Sequence, residues 1–430
     1  MQIGSYQVLF ELGRGGMGTV YLGRVRGTGD FERLVAIKRQ RALELGFDEP
    51  PERLLTEARL AGLIHHANVV GMHQAGSDSE GYYFVCDYVE GLSLAGLLGR
   101  HEPHALWPVG IVTRVMLDAL AGLQAVHDAV DAEGHALGML HRDLATDNLL
   151  VGRDGVTRLA DFGIAKTVRG MPRTEEGQVR GKLPYLAPEY LRGEPVDLTF
   201  DLYAAGVTLW VALSRRLPWG ELSEVHMMQA IVSEGLPSLP AGHFAAGSEL
   251  EAVIARACHP HARERYRSAR EMLDALEAAA SRVGTIARHV QVAEYVEQVA
   301  GAELAARRAR IQAHRRALDA GLPPPIDPIA PSVHAGGDAA SDAPTALSRV
   351  PTLRRFAPPS APRTRTSTPA PRFTPPTPVR RFTPPDPPVS KPVTVRELEL
   401  EREPAPRRLA LVALLVLLAT SCIASMFLAR

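Results

Sequence analysis

Charge bias is the first thing this sequence lacks: 48 Lys and Arg stand against 48 Asp and Glu. A chain with no net charge has no bulk electrostatic pull toward nucleic acid, so no nucleic-acid partner is expected. Cysteine is scarce as well. Of the three, Cys86 and Cys258 are far apart and Cys422 lies in an apolar tail, which leaves neither a disulfide framework nor a metal-cluster spacing and fits a reducing cytosolic compartment. The opening residues, MQIGSYQVLFELG, carry no charged head or long apolar core of a signal peptide, so nothing there is expected to direct export. What is plentiful is apolar side chain, 46% of 430 residues, enough for a sizeable core.

Two breaks in composition divide the chain. Up to about Gly321 strand and helix patterns alternate, whereas residues 322–408 are rich in Pro, Thr, Ala and Arg. Such a segment cannot bury enough surface to offset chain entropy, and it reads as a disordered, partly polyproline-II linker. Within it an Arg-Phe-x-Pro-Pro unit recurs at Arg355, Arg372 and Arg381, either as compositional drift or as a docking element open to phosphorylation at Thr374 and Thr383. Residues 409–429 then run without a charge for roughly 31 Å of helix, which predicts one transmembrane helix. Arg407 and Arg408 before it, against Arg430 after it, put the N-terminal portion in the cytoplasm. Between about 285 and 320, apolar residues at mixed three- and four-residue steps among many arginines predict a helical extension. It packs beside the preceding domain, self-associates into a homodimer, or stands as a solvated spacer.

The chemistry begins at Gly13-Arg14-Gly15-Gly16-Met17-Gly18, set between β-like runs at 6–12 and 20–25. In a dinucleotide-binding fold these glycines would open a helix, and Thr19-Val20-Tyr21-Leu22 does not read as one. A glycine turn between two strands instead lets backbone N–H groups close over a triphosphate, although a plain turn is the simpler reading. Val35-Ala36-Ile37-Lys38 is a strand-like run ending in a lysine that can grip phosphates. That lysine calls for an acidic partner, and Glu57, in a helical pattern after Pro51, is the candidate; a surface salt bridge is the blander alternative. A strand at 82–85 leads into Cys86-Asp87-Tyr88-Val89-Glu90-Gly91, a hinge whose backbone would bind adenine.

Then follow His141-Arg142-Asp143-Leu144-Ala145-Thr146-Asp147-Asn148, Asp161-Phe162-Gly163 and Ala187-Pro188-Glu189. With these in order, the chain over about 6–280 resembles the eukaryotic-like (Hanks-type) Ser/Thr protein kinase family, and is similar to its membrane-anchored bacterial members. The resemblance implies an α+β, two-lobed protein-kinase fold, with a small mainly β lobe over about 6–88 and a larger mainly α lobe over about 89–280. It also implies transfer of the γ-phosphate of ATP, with Mg²⁺ or Mn²⁺, to protein substrates and to the chain itself. Residue for residue, Asp143 would orient the substrate hydroxyl and accept its proton, Lys38 would hold phosphate beside Glu57, and Asn148 and Asp161 would hold the metal. Leu12, Gly13, Arg14, Gly15, Gly16, Met17 and Gly18 would cover the nucleotide, Val20, Ala36 and Leu150 would sandwich the adenine, and Asp87 and Val89 would meet it at the hinge. Asp201 would brace the catalytic loop, and Glu189 would pair with Arg265 or Arg263. Metaphosphate-like transfer asks for positioning and charge neutralisation more than covalent chemistry, which is why carboxylates and donors suffice.

Two positions depart from that pattern: Ala145 stands where the family has lysine, and Lys182 where it has threonine. Lys182 is expected to reach toward Asp143 and restore the missing cation; if it is merely solvated, activity is weakened. Tyrosine kinases also carry alanine at the Ala145 position, but Asp147 replaces their accompanying arginine. Arg142 suggests control by phosphorylation at Thr174, with Thr167 as the alternative. The insertion at 131–138 reads as structural. The rival from another class is a pseudokinase scaffold that binds nucleotide and partners without transfer. A small-molecule phosphotransferase of related fold is disfavoured by the Ala187-Pro188-Glu189 element.

Overall fold

Strand periodicity builds the smaller lobe. Val35 and Ile37 are buried in a cluster with Ile3, Tyr83 and Val85, while the alternating Ala36 and Lys38 fall on the opposite face, because successive side chains of a strand point to opposite sides. The computed structural model describes residues 1–15, 18–29, 31–41, 58–101, 108–161, 183–220, 222–240, 247–282, 286–323 and 325. Six strands, β1 (Gln2–Ile3), β2 (Tyr6–Gly15), β3 (Gly18–Arg26), β4 (Glu32–Arg41), β5 (Met72–Asp78) and β6 (Gly81–Asp87), form an antiparallel sheet in the order β1-β2-β3-β4-β6-β5. The glycine-rich turn joins β2 to β3, with Gly15 opposite Gly18. Gly18 has φ +131°, and a Cβ there would lie 2.1 Å from the Arg39 carbonyl oxygen on β4, so only glycine fits.

The larger lobe is mostly helical. A three-stranded sheet of β7 (Gly91–Ser93), β8 (Leu149–Gly152) and β9 (Thr157–Leu159) lies at its cleft side. The helices are α1 (Leu94–Arg100), α2 (Val109–His127), α3 (Pro188–Leu191), α4 (Leu198–Ser214), α5 (Glu224–Ser233), α6 (Gly247–Ala257), α7 (Ala269–Arg282) and α8 (His289–Asp319). Every residue of α4 from Phe200 to Ser214 is buried, as a helix that is apolar all round must be. Among the described residues α2 is the helix long and apolar enough to cross a membrane, yet it is mostly buried and serves as a core helix of this lobe. The segment at 409–429, and the proline-rich stretch from 326 on, lie outside the described residues.

Helix α8, 31 residues and about 46 Å long, falls within the span expected to be a helical extension, and it packs against the domain rather than standing apart. Val292, Val296, Ala300 and Leu304 recur at four-residue steps and join the core of the larger lobe. Ile311, seven residues further, joins Leu9, Phe10 and Leu22 in the smaller one. Polar contacts repeat the bridge: His289 meets Asp118 and Arg153 pairs with Glu297 on one side, Arg315 pairs with Glu32 and Asp319 with Arg24 on the other, and Arg308 pairs with Glu90 between them. The helix ends where the sequence changes composition. The Leu322 N–H donates to the Ala317 carbonyl and the Gly321 N–H to that of Leu318, a Schellman cap that needs the left-handed φ of +65° at Gly321.

Candidate active site

One buried carboxylate organises the loop that carries Asp143. Asp201, in the first turn of α4, accepts hydrogen bonds from the backbone N–H of His141 and of Arg142, both at 2.8 Å, and lies 2.9 Å from His127 Nε2. Burial pushes its carboxyl up, but the His127 bond and charge, with His141 and the Arg142 N–H, outweigh that and hold it below the usual aspartate value. The Arg142 N–H bond matters because Arg142 sits at φ +61°, a conformation arginine does not favour. His141 is fully buried, its ring set between the Ala160 carbonyl at 3.0 Å and the Asp143 N–H at 3.2 Å. Asn148, on the single 3₁₀ turn Thr146–Asn148, donates its amide to the Asp143 carbonyl at 2.7 Å and to Asp143 Oδ2 at 2.9 Å. Asp143 is therefore held at its backbone N–H, its carbonyl and its carboxylate.

Lys38 reaches this cluster from β4, its Nζ 2.9 Å from Asp161 Oδ1. Burial alone would lower the ammonium pKa; the charge and hydrogen bond of Asp161, aided by Asp143, more than offset it and leave the value raised. Asp161 itself sits at φ +56°, immediately after Ala160, whose N–H bonds the Asn148 carbonyl at 2.9 Å. Glu57, the partner expected for Lys38, lies outside the described residues, as do Gly16, Met17, Lys182, Thr167 and Thr174.

Between the lobes these groups close one end of a cleft of about 220 Å³. Leu12, Gly13, Val20 and Ala36 come from the sheet, Leu150 and Asn148 from the larger lobe, and Asp87 and Val89 from the hinge; all were expected there. Mostly apolar walls with charge at one end suit a planar base joined to an anionic group. Two side chains of the expected set turn away from the cleft. Arg14 does not turn over the cleft: its exposed side chain pairs with Glu11 at 2.9 Å, three residues back on the same strand. Against burial, which raises it, His73 at 2.9 Å and Arg33 at 2.5 Å hold the pKa of the Asp87 carboxylate down; that carboxylate is thus engaged by the sheet, in keeping with a hinge that serves through its backbone. Gly15 and Gly18 contribute the ends of the hairpin.

Among the lining residues that the sequence reading did not assign to the site are Val70, Cys86, Ser93, Arg100 and Arg307. Cys86 was visible as a hinge residue, and burial followed by the Asp161 charge pushes its thiol up to about 12, making it an inert wall. Arg307 had no local signal at all. The Glu189 alternatives are resolved in favour of Arg265, which meets both carboxylate oxygens at 2.7 Å in the interior, while Arg263 is exposed beside Glu264. Ala145, the departure from the family pattern, is fully buried in the core of the larger lobe. The insertion at 131–138 folds on itself: Val130 bridges Ala136, and the Asp131 carboxylate caps the N–H groups of Glu133 and His135.

Comparison with known proteins agrees with this geometry. The protein kinase domain family model matches residues 6–275. The chain is 33% identical over 285 residues to the tyrosine-protein kinase MasK of Myxococcus xanthus, covering 64% of this chain and 43% of that protein. It is 31% identical over 269 residues to the probable serine/threonine-protein kinase PknB of Lactococcus lactis, covering 62% and 41%. This chain thus spans about two-fifths of the length of these relatives. The solved kinase domain of PknI from M. tuberculosis superposes with a TM-score of 0.51 at 25% identity, over 65% of this chain and 98% of that domain.

Proposed function

We propose, from the premise that this chain belongs to the protein kinase domain family, that it transfers the γ-phosphate of ATP to serine and threonine hydroxyls of proteins, itself included. The observation that carries this reading is the convergence of Lys38, Asp161, Asn148 and Asp143 at one end of a mostly apolar interlobe cleft. The apolar walls take the base, and the hinge backbone supplies its hydrogen bonds. Lys38 grips the phosphates. Asp143 orients the acceptor hydroxyl in line with the γ-phosphorus; the new P–O bond forms from that oxygen as the bond to the β,γ-bridging oxygen breaks, Asp143 takes the hydroxyl proton, and ADP departs. Asn148 and Asp161 offer an amide and a carboxylate, oxygen donors suited to a hard ion such as Mg²⁺, which would neutralise charge on the transferring phosphates. A cation missing at Ala145 is supplied from Lys182, so Lys182→Ala lowers kcat.

Incubating the protein with labelled ATP and Mg²⁺ or Mn²⁺, with and without a generic basic protein, and beside Asp143→Asn, tests the reading. Label on serine and threonine that vanishes in the variant is expected. ATP left unconsumed under both metals overturns the kinase reading. Label confined to tyrosine overturns the acceptor class alone and favours the second reading, tyrosine transfer, which is supported by Ala145 and by the name of the relative MasK. Membrane tethering through 409–429, with the kinase domain cytoplasmic, and regulation by phosphate at Thr174 or Thr167 belong to the same proposal. Their support is the uncharged run at 409–429 and the arginine beside Asp143.

A further inference from the structure

Helix α8 lies wholly beyond the segment matched by the kinase family, yet one of its side chains enters the cleft. Arg307 Nη1 donates to the Gly91 carbonyl at 3.1 Å, at the point where the hinge becomes β7. Its Nη2 donates to Glu303 Oε1 at 3.0 Å. The other oxygen of Glu303 accepts from Arg100 Nε at 3.0 Å, and Arg100 Nη1 donates to the Gly96 carbonyl at 2.8 Å. Arg307 and Glu303 thus tie the hinge carbonyl to α1 along the hinge side of the cleft. Gly91 also pairs with Gly152 on β8, whose Leu150 lines the cleft, so a shift of Gly91 is felt by the floor of the pocket. The Arg307 side chain is only 17% exposed, so its charge acts in a partly dry setting. Beside it lies the buried hydroxyl of Tyr88, within the reach of the Arg307 guanidinium.

We propose that Arg307 is a positioning residue for the nucleotide: by holding the Gly91 carbonyl and the Glu303–Arg100 rim, it fixes the hinge wall of the cleft and makes ATP affinity depend on a helix outside the kinase domain proper. The proposal rests on the reading of the cleft as an ATP site. A plain latch between α8 and the lobes is a different role, and it is carried by contacts away from the cleft, such as the Arg153–Glu297 pair at 2.8 Å.

The experiment uses the full chain, with Arg307→Ala, Arg307→Lys and, as the latch control, Glu297→Gln. Mg-ATP binding is followed by calorimetry, and KM and kcat by peptide phosphorylation. Arg307→Ala is expected to weaken ATP binding and raise its KM about 5- to 10-fold, an effect the size of one ordinary net hydrogen bond, with kcat little changed. Arg307→Lys, which can reach Gly91 or Glu303 but not fork between them, gives an intermediate rise. Glu297→Gln leaves KM where it was. An unchanged KM in Arg307→Ala overturns the proposal, as does an equal rise in Glu297→Gln, which would make α8 a latch and nothing more. Should Arg307→Ala fail to fold, an unchanged KM in Arg307→Lys overturns it instead. If the unaltered protein binds no ATP, the kinase reading itself falls; if it binds ATP and the Arg307 variants bind equally well, only the role of Arg307 falls.

Discussion

Three donors meet at Asp201, and replacing the carboxylate by an amide leaves at least one of them facing an N–H. Buried donors stripped of an acceptor cost their desolvation, so Asp201→Asn should lower stability by about 2–3 kcal/mol, measured by denaturant unfolding at pH 7. The pH dependence has a definite sign. The folded pKa of Asp201 lies below its unfolded value, so its stabilisation is complete above the ordinary aspartate value of about 3.9 and is lost progressively as pH falls from there through the lower, folded value. The gap between Asp201→Asn and the unaltered protein should therefore stay level from pH 7 to 5 and narrow below about 3.9. Asp143 is a contrasting case, since its bonds to Asn148 can survive amidation while its capacity to take a proton cannot. Asp143→Asn should cut kcat by about 10²- to 10⁴-fold and leave ATP affinity near its starting value, as read by single-turnover phosphorylation and by calorimetry. Both aspartates were legible in the sequence because their neighbours form ordered motifs. The outward turn of Arg14 and of the Asp87 carboxylate was not: Arg14 is captured by Glu11, three residues back beyond an irregularity in the register of β2, and Asp87 by His73 and Arg33, which only the folded sheet brings close.

At the scale of elements, strands were the easier part. Alternation in Val35-Ala36-Ile37-Lys38 dictates which side chains enter the core and which meet the cleft, and the glycines at 13–18 mark the turn that joins β2 to β3. Helix α8 was legible as a helix but not as a bridge. Its charged side chains find partners far away in sequence: Arg315 meets Glu32, and Asp319 accepts from Arg24, 295 residues away. No local pattern encodes such pairings. The packing assigns the energetics chiefly to its apolar side chains, since exposed ion pairs contribute little each. Ile311, 4% exposed among Leu9, Phe10 and Leu22, is the apolar anchor on the smaller lobe. Ile311→Ala leaves a cavity there and should cost about 2–4 kcal/mol, seen as a lower unfolding midpoint. If the bridge steadies the lobes, the same variant should raise the rate of amide hydrogen exchange in β2 and β3 more than in α4.

For the whole molecule the proposed tether sets how the enzyme meets its substrates. A span of about 21 uncharged residues inserts into a bilayer without help from the domain it follows. In that proposal, copies confined to one membrane by 409–429 meet at an effective concentration fixed by surface density rather than by bulk concentration. Phosphorylation between copies should then be fast at protein levels where freely diffusing copies seldom collide. Deleting 409–430 isolates the effect, because those residues lie far in sequence from the cleft and from α8. The shortened chain should leave the membrane fraction on ultracentrifugation, with KM for ATP and kcat on a soluble peptide within about twofold of the full chain in detergent. Its autophosphorylation should slow and become second order in enzyme, whereas the full chain in vesicles should respond to the protein-to-lipid ratio. A full chain found in the soluble fraction removes the tether; equal autophosphorylation kinetics in both forms, with the full chain in the membrane, leaves the anchor in place and assigns the reaction to a single copy acting on itself.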